Sequence, residues 1–296
     1  MIAGDSHIVI VEDDYHARTW MELIFRRDWR TRVVGTASSP VELSTVMQGL
    51  KANQISASLI LIDTDIPGDS NWLREVLTRT AEHHPGRAIL FTSVLPNIKT
   101  ASLLNLSTGG CGYILKGEIR NSLAWAASLA AEGKFVITPG VYGLMKSDPR
   151  LPDEFLILDG RRSIVPLSEL DAARAVMAFI FSMERHELAD ELGISADFSY
   201  GVVSSLYEKI GLNDVLEGNV EPEEFFGSHP ALIRHFRSTL ENLKKTKSKK
   251  ARDKESLAFH LLTAPDIEEI RGGSGAKLKR MDHAAARRAM RRTERN

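Results

Sequence analysis

The sequence predicts an α/β doubly wound five-stranded parallel sheet, followed by an all-α helix-turn-helix domain and a basic tail. Three observations predict it. The first 145 residues alternate short aliphatic runs with amphipathic stretches. Those runs are continuous rather than alternating, which fits strands buried on both faces. From Leu167 the periodicity turns wholly helical, and beyond Arg234 the charge turns basic.

Taken in order, the aliphatic runs are IVIV (8–11), VVG (33–35), LILI (59–62), AILF (88–91) and YIL (113–115). Between them lie helical patterns near 15–27, 40–52, 70–84, 97–108 and 119–132. Ser39-Pro40 reads as an N-cap followed by the proline favoured at the first helical position. Five strands with helices between them make a parallel, doubly wound domain over residues 1–145. Residues 146–166 (KSDPRLPDEFLILDGRRSIVP) hold three prolines and an Asp-Gly turn, the composition of a linker with room for one hairpin. A helical domain follows over 167–227, then a basic extension, helical or disordered, over 228–296.

Composition sets the bounds. A chain of 296 residues with 43% hydrophobic residues holds two modest domains and their cores. The single cysteine, Cys111, leaves no internal disulfide and points to the cytoplasm. The start MIAGDSHIVIVEDD lacks a basic region and is not read as a signal peptide. The longest apolar stretch, SLAWAASLAA, is too short to cross a membrane and reads as a packed helix, so no membrane partner is expected. The net charge of −1 hides an asymmetry. Residues 234–296 carry 18 Lys/Arg against 8 Asp/Glu, a balance of +10, which leaves −11 for the rest. An acidic body with a basic tail implies an anionic partner for the tail, or association between the two parts.

In doubly wound sheets, ligands sit where the carboxyl ends of the strands converge. The first strand is followed by Glu12, Asp13 and Asp14, the third by Asp63 and Asp65, the fourth by Thr92 and Ser93, and the fifth by Lys116. Carboxylates held a few ångströms apart repel unless a cation joins them. An all-oxygen site of this kind suits Mg2+. Metal, ammonium and hydroxyl beside a carboxylate are also the equipment of phosphoryl transfer, with the carboxylate as nucleophile.

The set VEDD, LILIDTDIPG, ILFTS and GCGYILKG, in this order and spacing, resembles the receiver domain of bacterial two-component response regulators, over roughly residues 6–145. The stretch GGCGYILKGEIRNSLAWAASLAAEGKFVITP is most similar to receivers of the NarL/FixJ type. The resemblance implies a flavodoxin-like receiver fold and a histidine kinase as partner. It implies catalysis only of the chain's own phosphorylation and dephosphorylation, with Mg2+ as cofactor. Residue by residue, it implies Asp63 as phosphoacceptor, with Thr92 and Lys116 engaging the phosphoryl group and Tyr113 as the switch that reorients with Thr92. Glu12, Asp13 and Asp63 would hold the metal, with Asp65 lending its backbone carbonyl. Asp65 is acidic where many receivers are neutral, and its charge would alter the approach of a hydrolytic water. Asp14 reads as a solvated or capping residue.

The segment RHELADELGISADFSYGVVSSLYEKIGLND (185–214) reads as a helix, a turn at Gly193-Ile194-Ser195, and a second helix, the form of a helix-turn-helix. With LSELDAARAVMAFIF before it, it resembles the LuxR-type output domain. The apolar skeleton Leu188, Ala189, Leu192, Ile194, Val203, Leu206, Ile210 and Gly211 is kept. The groove-facing surface is not: it shows Phe198, Tyr200, Gly201, Val202 and Ser205, with Lys209 as its cation. Two readings stand. The helix reads DNA, or the fold persists without groove contacts and Phe198, Tyr200 and Val202 dock a protein or a second copy of the chain. Lys244, Lys245, Lys247, Lys249, Lys250, Arg287, Arg288, Arg291 and Arg292 could neutralise phosphates without sequence readout, or belong to a solvated tail. The leading expectation is a phosphorylation-controlled transcriptional regulator. The rival is a signalling adaptor.

Overall fold

The computed structural model describes residues 6–65, 71–83, 88–106, 111–148, 151–161, 167–223, 233–234, 236–238, 240–241 and 250–271. Five parallel strands appear where the aliphatic runs fall: β1 (Ser6–Val11), β2 (Thr31–Ala37), β3 (Leu59–Asp63), β4 (Ala88–Ser93) and β5 (Cys111–Leu115). Helices α1 (Tyr15–Arg27), α2 (Pro40–Ala52), α3 (Asn71–His83) and α4 (Ile98–Ser102) connect them. Alternate strand residues enter opposite cores. Ile8, Ile10, Leu59 and Leu61 pack on one side, and Val9, Val11, Ile60 and Ile62 on the other. That two-sided burial is why the runs are uninterrupted. Helix α2 begins as read: Pro40 is its first residue and the Ser39 side chain accepts from the Glu42 N–H.

The helix expected over 119–132 is broken. A one-turn α5 (Lys116–Ile119) stops at Arg120, whose φ is +46°, and α6 (Leu123–Ala131) starts after a 3-10 turn. Nearly every residue of α6 is buried, as its apolar composition requires.

The sheet does not end at β5. Its order is β2-β1-β3-β4-β5-β6-β7-β8, with β6 at Val136–Ile137, β7 at Glu154–Asp159 and β8 at Asp266–Arg271. Helix α7 (Pro139–Met145) leads from β6 towards β7. The stretch read as a linker, 146–166, therefore contains a sheet strand, because FLIL at 155–158 buries both faces like LILI. Part of the basic extension also joins the sheet: β8 pairs antiparallel with β7. At Gly112 an added Cβ would lie 2.2 Å from the Val136 carbonyl oxygen, so the β5–β6 pairing depends on the bare backbone there.

The helical half comprises α8 (Glu169–Ala175), which widens into a π turn over Val176–Ile180, α9 (Arg185–Leu192), α10 (Ala196–Lys209), α11 (Leu212–Glu217) and α12 (Lys250–Leu262). It packs on the α1 and α6 side in one shared core, where Phe179, Leu206, Ile210 and Phe259 join Ile24, Phe25 and Trp125. Arg27 donates to the Phe179 carbonyl at 2.7 Å. Beneath this contact Arg30 forms a two-pronged pair with Asp28, at 3.0 and 2.8 Å, and lies over the Trp125 ring at 4.1 Å. His260 of α12 approaches Asp28 at 3.7 Å. Among the described residues, no helix is long and apolar enough to cross a membrane.

Burial works to raise the Asp28 carboxyl pKa. The Arg30 charge, His260 and the hydrogen bonds from Arg30 outweigh it and hold the group well below the carboxylate range. A depressed folded pKa gives stability that is present above the unfolded value and lost as pH falls. Asp28→Asn should therefore cost about 3 kcal/mol at pH 7, since it strands a buried guanidinium. The gap from wild type should begin to narrow as pH drops below about 4 and be smaller at pH 3 than at pH 7. Urea unfolding of both proteins at pH 7 and pH 3 checks this.

Candidate phosphoacceptor site

Strand register alone assembles the site. Val11 pairs with Ile62, so Glu12 and Asp63, one residue further on, emerge side by side. Asp63 pairs with Thr92, and Ser93 with Leu115, which brings Lys116 to the same edge. Each side chain comes from the carboxyl end of its strand, where the sheet stops and helices turn away.

The charges are closely held. The Lys116 ammonium donates to Glu12 Oε2 at 2.7 Å and lies 3.1 Å from Asp63 Oδ1. The Thr92 hydroxyl donates to the same Asp63 oxygen at 3.4 Å. Glu12, Asp63 and Thr92 are buried, while Asp13 is exposed. Asp14 is a cap: its carboxylate accepts from the Ala17 N–H at 2.6 Å and opens α1. Arg18 holds the turn by donating to the Glu12 carbonyl at 2.5 Å.

Burial raises the Glu12 carboxyl pKa to about 7, and the neighbouring Asp63 charge adds to the rise against the opposing bond from Lys116. Burial likewise raises Asp63, with Lys116 opposing and Asp65 adding. For Lys116, burial favours the neutral amine, but the bond to Glu12 and the charges of Asp63 and Glu12 prevail and raise its pKa. The site thus keeps a cation and shares too few charges to satisfy its acids.

Three of the residues expected at a metal converge: carboxylate oxygens of Glu12, Asp13 and Asp63 lie within 4.8 Å of one another. An all-oxygen set that includes a buried acid with a raised pKa fits a hard divalent ion. The Asp65 carboxylate is turned elsewhere and accepts from the Val94 N–H. Tyr113 is buried, and its hydroxyl meets Ser93 Oγ at 2.6 Å rather than Thr92. It also accepts from the Asn97 N–H at 3.0 Å and donates to the Leu95 carbonyl at 3.2 Å. Ser93 and Asn97 were not singled out from the sequence as partners of Tyr113; Ser93, directly after Thr92 in ILFTS, was the available signal. Pro67 and Gly68, which end the motif LILIDTDIPG, lie outside the described residues.

The expected nucleic-acid contacts are placed less favourably. Lys209 is paired with Asp171 at 2.6 Å. Val202 is buried in the shared core, so the exposed apolar face of α10 is Phe198 and Tyr200 alone, at 59% and 61% exposure. Lys250 opens α12. Lys244, Lys245, Lys247, Lys249, Arg287, Arg288, Arg291 and Arg292 lie outside the described residues.

No protein-family model matches the chain, and no curated relative matches it. Solved structures do. The response regulator RcsB of Salmonella typhimurium is 18% identical over 70% of this chain and 93% of that one, with a TM-score of 0.40. The isolated REC domain of RcsB from Salmonella enterica serovar Typhimurium, solved with phosphomimetic BeF3−, is 19% identical over 48% of this chain and 99% of that one, TM-score 0.39. ChrA, a response regulator of a heme-sensing two-component system, is 19% identical over 70% and 91%, TM-score 0.36. These three structures are of response regulators or of a receiver domain from one.

A proton on Glu12 competes with a metal for the same oxygens. Mg2+ affinity should therefore climb as pH rises through about 7 and level off above it. Titrating Mg2+ calorimetrically at pH 6, 7 and 8 checks this; an affinity independent of pH would contradict it.

Proposed function

We propose that the chain is a response regulator, phosphorylated on Asp63 by a histidine kinase in a Mg2+-dependent reaction, and that its C-terminal half acts on transcription. The observation that supports this most is Asp63 held between the Lys116 ammonium and the Thr92 hydroxyl beside two further acids. The Asp63 carboxylate attacks the phosphorus of a phosphohistidine, and the phosphorus–nitrogen bond breaks as the new oxygen–phosphorus bond forms. Glu12, Asp13 and Asp63 would hold the Mg2+, which when bound would neutralise charge on the phosphoryl oxygens. Lys116 and Thr92 donate to those oxygens, and Glu12 keeps Lys116 in place. Outside this self-directed chemistry the reading assigns no enzymatic activity.

Incubation with Mg2+ and acetyl phosphate should label the wild type and leave Asp63→Asn unlabelled. Lys116→Ala should slow labelling by two or more orders of magnitude, on the scale of lost electrostatic stabilisation at a transferring group. Label retained by Asp63→Asn would overturn the reading.

The surface of α10 favours a second reading of the output, an adaptor that binds a protein. Residues 184–209 carry two cations against six acids, a balance of −4. Both cations are engaged, Arg185 with Glu255 at 2.9 Å and Lys209 with Asp171. Affinity for DNA rests largely on neutralising phosphates. On this reading Lys209→Ala leaves DNA binding unchanged, and truncation after Arg271, which spares α12 and β8 and removes Arg287, Arg288, Arg291 and Arg292, weakens a salt-steep, sequence-indifferent interaction. A sequence-selective complex that survives the truncation would favour base reading by α10.

A further inference from the structure

We propose that Arg161 is a positioning residue for Lys116, acting through Glu118, so that the phosphoacceptor site depends on strand β7. This rests on the reading of Asp63 as phosphoacceptor. Lys116 sits at the first residue of the one-turn α5, and the chain breaks again at Arg120 with φ +46°. A four-residue helix between a strand end and a left-handed residue cannot hold its own backbone in place. Other parts of the chain hold it. Glu118, two residues after Lys116, accepts from the Gly140 N–H at 2.8 Å with one oxygen and pairs with Arg161 Nη1 at 3.0 Å with the other. Arg161 is itself oriented by Asp159 at the end of β7, through contacts of 2.9 and 3.2 Å and a backbone bond of 3.0 Å. At Gly160, between them, an added Cβ would lie 2.0 Å from the Ile119 carbonyl oxygen, so β7 abuts the turn directly.

Strand β7 is absent from the five-stranded plan, and Asp159 pairs with Asp266 at the start of β8. The strut therefore ties the cation of the site to the added edge of the sheet. The Arg161 side chain is 42% exposed, so its pair with Glu118 is screened and the effect of losing it is moderate.

The test uses the full chain in four forms: wild type, Arg161→Ala, Glu118→Gln and the double variant. Acetyl phosphate labelling is followed across Mg2+ concentrations. Each single variant should lower the maximal rate about fivefold, the worth of one screened, hydrogen-bonded pair. The double variant should be no slower than the slower single one, and a fifth form, Arg161→Lys, should restore part of the rate. A general loss of stability would instead add across the two sites. In the absence of phosphodonor, hydrogen exchange over 116–122 should quicken in both single variants while α10 keeps wild-type exchange. Equal rates in all four forms, or additive losses, would overturn the proposal. Should the wild type itself take no label, the phosphoacceptor reading falls, and the exchange over 116–122 still decides whether Arg161 holds the turn.

Discussion

Two carboxylates emerging from adjacent parallel strands at the same level are forced within about one strand spacing, ~5 Å, of each other. Glu12 and Asp63 are in that position by register, and both are buried. In water such a pair would repel weakly; at the edge of a sheet core the repulsion and the lost hydration both favour protonation, which would neutralise the carboxylate proposed as phosphoacceptor. Lys116 resolves the conflict by standing within 2.7 Å of one acid and 3.1 Å of the other. One cation between two acids leaves a net negative site, which attracts a divalent ion and is relieved by it. The role proposed for this edge in phosphoryl transfer rests on this one electrostatic shortfall.

The neutralising ammonium has to be delivered from the far side of the sheet, from β5, two strands away from Asp63. Delivery depends on what lies beyond β5. In a sheet that ended there, α5 would have solvent for a neighbour. Here β6, β7 and α7 lie alongside, with Thr138 accepting the Leu115 N–H at 3.1 Å and the Glu118 contacts following within three residues. On the opposite side of the sheet, α1 and α6 are not free either. Trp20 meets Phe181, and His260 of α12 lies against Asp28 and the Trp29 ring. Packed interiors shift between discrete arrangements rather than yielding continuously. A movement at the strand ends would thus be read by a shared core and not by a loose tether between two domains.

The first five strands and Glu12, Asp63, Thr92 and Lys116 were legible because local pattern encodes them: uninterrupted aliphatic runs followed at once by polar residues. Strand β7 carries the same signal in FLILD, but two nearby prolines and an Asp-Gly turn made it look like a linker. Strand β8, DIEEIR, holds three acids in six residues and shows no buried run; it is a strand because β7 offers it an edge. The pairs Glu118–Arg161 and Asp171–Lys209 join residues 43 and 38 apart, and no periodicity reports such contacts. Val202 looked surface-exposed because its neighbours Tyr200 and Gly201 are; helical phase turns it into the core beside Val203 and Leu206.

That last residue explains a puzzle in the helical half. Leu188, Val203, Leu206 and Ile210, the apolar skeleton read from the sequence, are fully or nearly fully buried. They are not the core of a separate reading head. They belong to the same hydrophobic cluster as Ile24, Trp125 and Phe259, so removing them would open cavities beneath α1 and α6. The skeleton is constrained by the packing of the whole body, while the outward face answers only to whatever partner it meets. An acidic face with its two cations engaged, over a skeleton that the sheet itself requires, is what that division of constraints produces.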